Sequence, residues 1–265
     1  MYDIDDFDNR DPKLIERAAR LVETFAVPYH RAEVRGIERV PAGPGLYVGN
    51  HNGGAYSIDS FIFGAALFRA HGIDAVPYGL GHEVAISIPG INELLVPLGA
   101  VRASHDNAQR LFEAGHKVLV YPGGDLDSMR PFRHRHRVVF GGRRGYVRLA
   151  LRAGVPIVPV VAAGAHSTLM VLDDGRWLAK LLGTNRLFRS KILPVTLCLP
   201  WGVSILPLFP YIPLPSRIRI EVLDPIHFER TGEEAAADED WVRECAALVE
   251  TRMQTALTRL SDGLI

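Results

Sequence analysis

GRRGYVRLALRAGVPIVPV, residues 142–160, joins an amphipathic helix to a buried strand through one glycine. Residues 144–153 read as helix, Gly154 stands where a helix C-cap belongs, and 157–162 is an apolar, β-branched run. The same unit recurs along the chain. Strand-type runs lie at 46–48, 75–78, 95–97, 117–121, 157–162 and 217–222. In the last, RIRIEV alternates as a strand with one wet face. Helix-type stretches lie at 14–25, 60–71, 104–114, 144–153 and 241–260. Gly72 and Gly115 sit at further C-caps, and Asp238 and Asp240 put acid at the start of the last helix. This alternation predicts an α/β fold with a mostly parallel central sheet flanked by helices. No repeat or low-complexity linker divides the chain. Residues 1–265 therefore read as a single domain: a core over about 45–226, an N-terminal helical extension over 1–44 and a C-terminal helix within 227–265.

Composition narrows the function. The chain is 48% hydrophobic and 23% charged with a formal net charge of zero, which argues against nucleic acid as a partner, because phosphate neutralisation needs a basic excess. Two cysteines, Cys198 and Cys245, are too few for a disulfide scaffold, a reducing compartment is expected, and Cys198 reads as a small buried hydrophobe. The acidic start, MYDIDDFDNRDPK, is not a secretory signal, so the expected location is cytoplasmic. The stretch 192–215, ILPVTLCLPWGVSILPLFPYIPLP, is long and apolar but carries six prolines and a glycine. It cannot cross a bilayer as a regular helix, and must bury itself in the core or at a membrane interface.

Three stretches carry the chemistry. In VGNHNGGAYSIDSF (48–61) His51 follows a strand's carboxyl end and Asp59 stands at the start of a helix. Open α/β sheets gather ligands at that edge. Asp59 is either a helix N-cap or the partner that orients a His51 general base across the turn made by Gly53 and Gly54. In PLGAVRAS (97–104) Arg102 is expected at a helix N-terminus, as a surface residue or as an anion ligand. In VLVYPGGDLDSMRPF (118–132) a strand runs into Gly123 and Gly124, whose turn amides suit a phosphate or an oxyanion; Asp125 and Arg130 follow and join the substrate-binding candidates. The basic run RPFRHRHRVVFGGRRG is either a solvated loop or a surface that meets a polyanionic substrate or anionic lipid headgroups. His134 and His136 lack partners at metal spacing, so no metal is expected.

NH…D, G-x-x-R, YPGG and GVPIVPV, in that order, resemble the four blocks of the glycerolipid acyltransferase superfamily, the lysophospholipid acyltransferases. GRRGYVRLALRAGVPIVPV is most similar to the diacylglycerol-acyltransferase-like branch. The resemblance spans about Gly45 to Ala165, with a fainter likeness in PLPSRIRIEVLDPI (213–226). Two positions depart from the pattern. The usual H-x4-D spacing is widened to seven intervening residues, and Gly123 stands where the third block usually carries glutamate.

The resemblance implies transfer of a fatty acyl group from an acyl thioester, acyl-CoA or acyl-ACP, to a glycerolipid or lysophospholipid hydroxyl. The thioester is a co-substrate and no further cofactor is expected. His51 would be the base, Asp59 its orienting partner, and Arg102 a phosphate ligand. The absence of a G-x-S-x-G elbow fits a mechanism without a serine nucleophile. The acyl chain needs an apolar groove, for which 192–215 is the candidate. That segment, with Trp201, Phe209 and Tyr211, and the helix with Lys13, Arg17 and Arg20 imply peripheral membrane association. Two alternatives stand beside this reading: a lipid esterase or thioesterase, and a non-catalytic lipid-binding protein of the same fold.

Overall fold

Two strands buried from end to end organise the chain. β2 (Gly45–Gly49) and β6 (Ile157–Ala163) expose no residue to solvent, which places both in the interior of a sheet covered on its two faces. The computed structural model describes residues 1–54, 57–182, 192–208 and 210–264. Around that pair stand β1 (Glu33–Arg35), β3 (Tyr78–Gly81), β4 (Ala100–Arg102) and β5 (Lys117–Val120). β7 (Met170–Asp173), β8 (Val195–Cys198) and β9 (Gly202–Ile205) form a separate antiparallel sheet, and β10 (Arg219–Val222) returns to the main one. The main sheet has the order β1-β10-β6-β2-β5-β3-β4, parallel at every pairing except β10 with β6. A mostly parallel α/β sheet was expected and is found.

The period-two alternation of strand side chains divides the core in two. Leu46, Val48, Val118 and Val161 point to one face, where α3 (His105–Glu113), α4 (Gly145–Ala153) and α5 (Glu239–Leu260) pack. Tyr47, Leu119, Val158 and Val160 point to the other, covered by α2 (Ile58–His71), with α1 (Pro12–Leu21) outside it. The chain thus leaves β2 towards one face and β5 towards the other. That switch opens a crevice beyond the carboxyl ends of these neighbouring strands.

The structure corrects several local expectations. The apolar run at 95–97 is not a strand: Ile91–Leu95 is a short helix, started by Gly90 at φ 85° with the Glu93 carboxylate accepting the Gly90 N–H. The strand comes after Gly99, as β4, because an apolar run alone does not distinguish helix from strand. Arg102 accordingly ends β4, and Ser104, three residues before Asn107, caps α3. The first helix stops at Leu21 and continues as a π-helical turn, Val22–Ala26. The polar face of RIRIEV is wet at Arg217, which is exposed, and closes off towards Glu221, 7% exposed and paired with Arg39 and Arg259. Cys198 is free and buried, as expected, and so is Cys245.

The Pro-rich segment does not line the core of the main sheet. It builds β8 and β9 and leaves Trp201, Val203, Ile205 and Ile212 exposed. Tyr211 departs from this: it is 4% exposed and its hydroxyl donates to the Gly53 carbonyl at 2.8 Å. It therefore holds a turn rather than an interface. Phe209 lies outside the described residues.

Candidate active site

The loop after β2 is fastened by polar side chains on both sides of His51. The Asn50 amide continues the β2–β6 ladder in place of backbone: Nδ2 donates to Ala162 O and Oδ1 accepts from Ala162 N, each at 2.9 Å. Asn52, also buried, donates to Asn50 O at 2.9 Å and to Asp59 Oδ2 at 2.8 Å. Gly53 and Gly54 follow at φ 65° and 67°, the left-handed region that glycine enters without steric cost. At Gly54 a Cβ would also lie 2.6 Å from Leu169.

The third stretch holds this loop in place. Arg130 is 2% exposed, and its guanidinium donates to His51 O, Asp127 O, Asp127 Oδ1 and Asn52 Oδ1 at 2.7, 2.6, 3.0 and 2.7 Å. It also reaches the carbonyls of His134 and Arg135. Asp127 is fully buried, accepting the His51 N–H at 2.6 Å and the Val139 N–H at 3.1 Å. Burial pushes the Asp127 carboxyl upward, and the Arg130 charge and the two N–H donors oppose it. Arg130 was expected to bind substrate. Every face of its guanidinium is instead occupied by protein, so it is a clamp. The basic run wraps this clamp through its carbonyls and leaves Arg133 and Arg137 exposed.

No hydrogen bond joins His51 to Asp59; Asn52, next in the chain to His51, is what holds the Asp59 carboxylate. The imidazole lies against the Tyr121 ring, with centroids 4.7 Å apart, and its Nδ1 is 3.2 Å from Ser57 Oγ. Asp59 occupies the first turn of α2, pointing inward at 4% exposure, and the N-cap position belongs to Ser57. Asp59 is thus not the N-cap of α2, although the first-turn N–H groups of Asp59 and Ser60 favour its ionised form. Its Oδ1 is buried with no hydrogen-bond partner among the described residues. Such orphaned oxygens are rare and costly, and they concentrate at working sites. Burial pushes the His51 imidazole down to about 4, with Arg130 adding to the effect, and pushes the Asp59 carboxyl up to about 6 against the Asn52 hydrogen bond.

The remaining candidates are scattered. Gly123 is where it is for lack of room: a Cβ there would lie 2.3 Å from the Asp127 Cβ and 2.4 Å from Val139 O. Asp127 fills the space a side chain at 123 would need. The Gly124 N–H donates to Tyr121 O at 3.1 Å, so that amide is committed and does not serve as an oxyanion donor. Asp125 is exposed and paired with Arg143 at 2.8 Å, turned away from His51 by the short helix Gly124–Ser128. Arg102 stands at the same carboxyl edge but on β4, three strands from β2 in the sheet order, where it pairs with Asp5. Sequence reasoning missed Asn50, Asn52, Tyr121 and Asp127. The Asn pair flanking His51 and the Asp127–Arg130 spacing of one helical turn were the available signals.

An apolar cavity of about 180 Å³ lies between α1, α2 and the sheet, lined by Ala19, Phe63, Val76, Leu98 and Leu119 among others. Ser60 also lines it, and Ser60 Oγ hydrogen-bonds the hydroxyl of Tyr121, the ring that carries His51. Two further lining residues, Gly64 and Gly79, have open space where a Cβ would stand. This cavity lies under α2, and none of the residues that line it belongs to 192–215, the segment expected to supply an apolar groove.

Removing the clamp's cation while leaving its anion buried is the severe change. Arg130→Met is expected to lower stability by about 3–5 kcal/mol in urea titrations, because the uncompensated Asp127 charge stays inside. Arg130→Lys should recover only part, since an ammonium cannot spread over these acceptors. A loss under about 1 kcal/mol for Met would show that the clamp is dispensable.

Comparisons with known proteins agree with this architecture. An acyltransferase family model matches residues 31–163, from β1 through β6. An uncharacterized protein of Mycobacterium tuberculosis is 30% identical over 270 residues, covering 99% of this chain and 70% of that protein. The Bos taurus DGAT1/2-independent enzyme synthesizing storage lipids is 29% identical over 172 residues, 64% of this chain and 47% of that protein. In structure the chain is similar to the 1-acyl-sn-glycerophosphate (LPA) acyltransferase PlsC of Thermotoga maritima. The TM-score is 0.56 at 17% identity, over 94% of this chain and 79% of that one, a likeness of fold. With the family model spanning half its length and a relative matching it from end to end, this chain belongs to the acyltransferase family of glycerolipid acyltransferases.

Proposed function

We propose that the protein transfers a fatty acyl group from a thioester, acyl-CoA or acyl-ACP, to the hydroxyl of a glycerolipid, with His51 as general base. The observation that carries this reading is the site itself: an imidazole at the carboxyl edge of the sheet, linked through Asn52 to a buried carboxylate whose Oδ1 has no hydrogen-bond partner among the described residues. Burial keeps His51 neutral above about pH 4, so it can take a proton, while Asp59 is ionised above about pH 6. The acceptor hydroxyl gives its proton to the imidazole as its oxygen attacks the thioester carbonyl. Collapse of the tetrahedral intermediate expels the thiolate, which takes that proton back from the imidazolium. Asp59 stabilises the imidazolium between the two steps. A direct bond from Nδ1–H to Asp59 Oδ1 requires His51 to exchange Ser57 for Asp59.

The sign of the pH dependence follows. Asp59 is raised above the ordinary carboxylate range, so it takes up a proton as pH falls through about 6, and the imidazolium loses its counter-charge. Turnover should fall below that pH. His51→Ala should lower it by on the order of 100- to 10,000-fold. Asp59→Asn should be slow at all pH values and lack the limb near 6. An Asp59→Asn enzyme with wild-type rate and profile would remove the dyad.

The cavity beneath Ser60 is the proposed seat of the acyl chain, supported by its apolar lining and its contact path to His51 through Tyr121. Gly64→Leu should fill it and move the preference among acyl-CoA substrates to shorter chains. An unchanged chain-length profile would place the acyl group elsewhere.

The acceptor lies in a bilayer, and among the described residues no helix is long and apolar enough to cross one. We therefore read the exposed apolar side chains as a one-sided membrane contact. Trp201 in the turn between β8 and β9, Ile205 at the end of β9, Leu21 at the end of α1 and Phe25 in the π-helical turn after it are all about half exposed or more. Tyr29 ties the two patches together, its hydroxyl donating to Pro213 O at 2.8 Å. The protein should float with anionic liposomes, and Trp201→Asp should reduce recovery without unfolding. Wild type that stays at the bottom of the gradient with every lipid mixture would refute the contact.

A further inference from the structure

Arg102 closes β4 with its guanidinium turned onto a carboxylate of its own chain. Nε lies 2.9 Å from Asp5 Oδ1 and Nη2 lies 2.6 Å from Oδ2, a two-point pairing that matches the fork to both oxygens. The buried Asn107, in the first turn of α3, adds a bond from Nδ2 to Asp5 Oδ1 at 2.7 Å. Together these donors hold the Asp5 carboxyl below the usual carboxylate range, Asn107 contributing most. Guanidinium and side-chain amide make an anion seat, and the seat is full.

Its occupant is held by a strap. The Arg102 N–H donates to Ile4 O at 2.9 Å, and Tyr2 exchanges two bonds with Asn92 at 2.6 and 3.1 Å. Downstream, the Asp11 N–H donates to Pro97 O at 2.8 Å. Phe7 lies 5.9 Å from the Tyr78 ring and under the Arg110 guanidinium at 4.4 Å. Fixed on both sides, the Asp5 carboxylate competes for Arg102 as an intramolecular ligand, at an effective concentration no free phosphate ester matches. Exposed Asp3, Asp6 and Asp8 on the same strap add a repulsive field against a dianion.

We propose that Asp5 is a specificity-determining residue: it fills the anion seat of Arg102, so that the acceptor is an uncharged lipid alcohol and phosphate-bearing acceptors are turned away. This rests on the acyltransferase reading above and names the acceptor class for the same site.

The test compares wild type with Asp5→Ala on two acceptors, 1-oleoylglycerol and 1-oleoylglycerol 3-phosphate, with one acyl-CoA. Wild type should prefer the uncharged acceptor. In Asp5→Ala the ratio of kcat/KM should shift towards the phosphorylated acceptor by about tenfold or more, the value of one charge-assisted contact regained. Arg102→Gln added to Asp5→Ala should cancel that shift. Asp5→Asn, which keeps an acceptor oxygen for Arg102 and Asn107 but no charge, should shift the ratio the same way and covers the case in which alanine unfolds the strap. A wild type that prefers the phosphorylated acceptor, or a ratio unmoved in both variants, overturns the proposal. Glycerol 3-phosphate titrated calorimetrically onto the proteins reads the seat without turnover: Asp5→Ala should bind it and wild type should not. Equal binding by both overturns the plug even if no acyl transfer is observed. Binding confined to the variant, with both acceptors inert in every protein, would preserve the plug and fault the acyltransferase reading instead.

Discussion

A guanidinium cannot be taken out of water unless nearly every N–H finds an acceptor and the charge finds a counter-ion. Arg130 meets that condition only because residues far apart in the chain converge on it: the carbonyl of His51, the amide of Asn52, the carboxylate of Asp127 and the carbonyls of His134 and Arg135. The requirement runs both ways. The arginine needs those acceptors, and the loop that carries His51, having left the ladder of β2, needs donors and acceptors for its buried backbone. Asp127 supplies the acceptor for the His51 N–H and Arg130 the donor for the His51 carbonyl. The backbone of the candidate base is therefore gripped on both sides, and only its ring remains to be positioned.

The ring is placed by the sheet. Tyr121 follows β5, next to β2, and points to the face that α2 covers, with the His51 imidazole lying on it. Its hydroxyl reaches Ser60 on α2, at the wall of the apolar cavity. One aromatic side chain thus connects the polar edge, where proton transfer is proposed, to the dry space below it. The same dryness explains the two opposed shifts, an imidazole made less basic and a carboxyl made less acidic, since burial disfavours whichever form carries charge.

Charge is neutralised close to where it arises. Asp5 meets Arg102, Asp125 meets Arg143, and Asp127 meets Arg130. Only the last pair is buried, and only there is the pairing a condition of folding. The two partly exposed pairs contribute little stability in themselves. Their weight lies in which cations they take out of play along the carboxyl edge.

Much was legible in the sequence because it depends on local pattern. Apolar runs of the right length, helical periodicity and capping glycines specify β2, β5, β6 and the helices around them, and a strand-helix alternation leaves a mostly parallel sheet as the solution. The placement of His51 at the sheet's carboxyl edge follows from the same reading. Tertiary structure decided the rest, for reasons no local pattern carries. Whether Asp59 caps or faces inward depends on where α2 begins, and it begins one residue after Ser57. Whether Arg130 binds substrate or clamps a loop depends on which acceptors surround it, and those come from its own stretch, 127–135, and from the distant loop at 51–52. Arg102 could not be known to be occupied without the path of residues 1–10. Gly123 in place of a carboxylate looked like a loss, and packing shows that Asp127 has taken the volume. Hydrogen-bond partners and excluded volume are properties of distant segments brought together, and it is these that separate a functional side chain from a structural one.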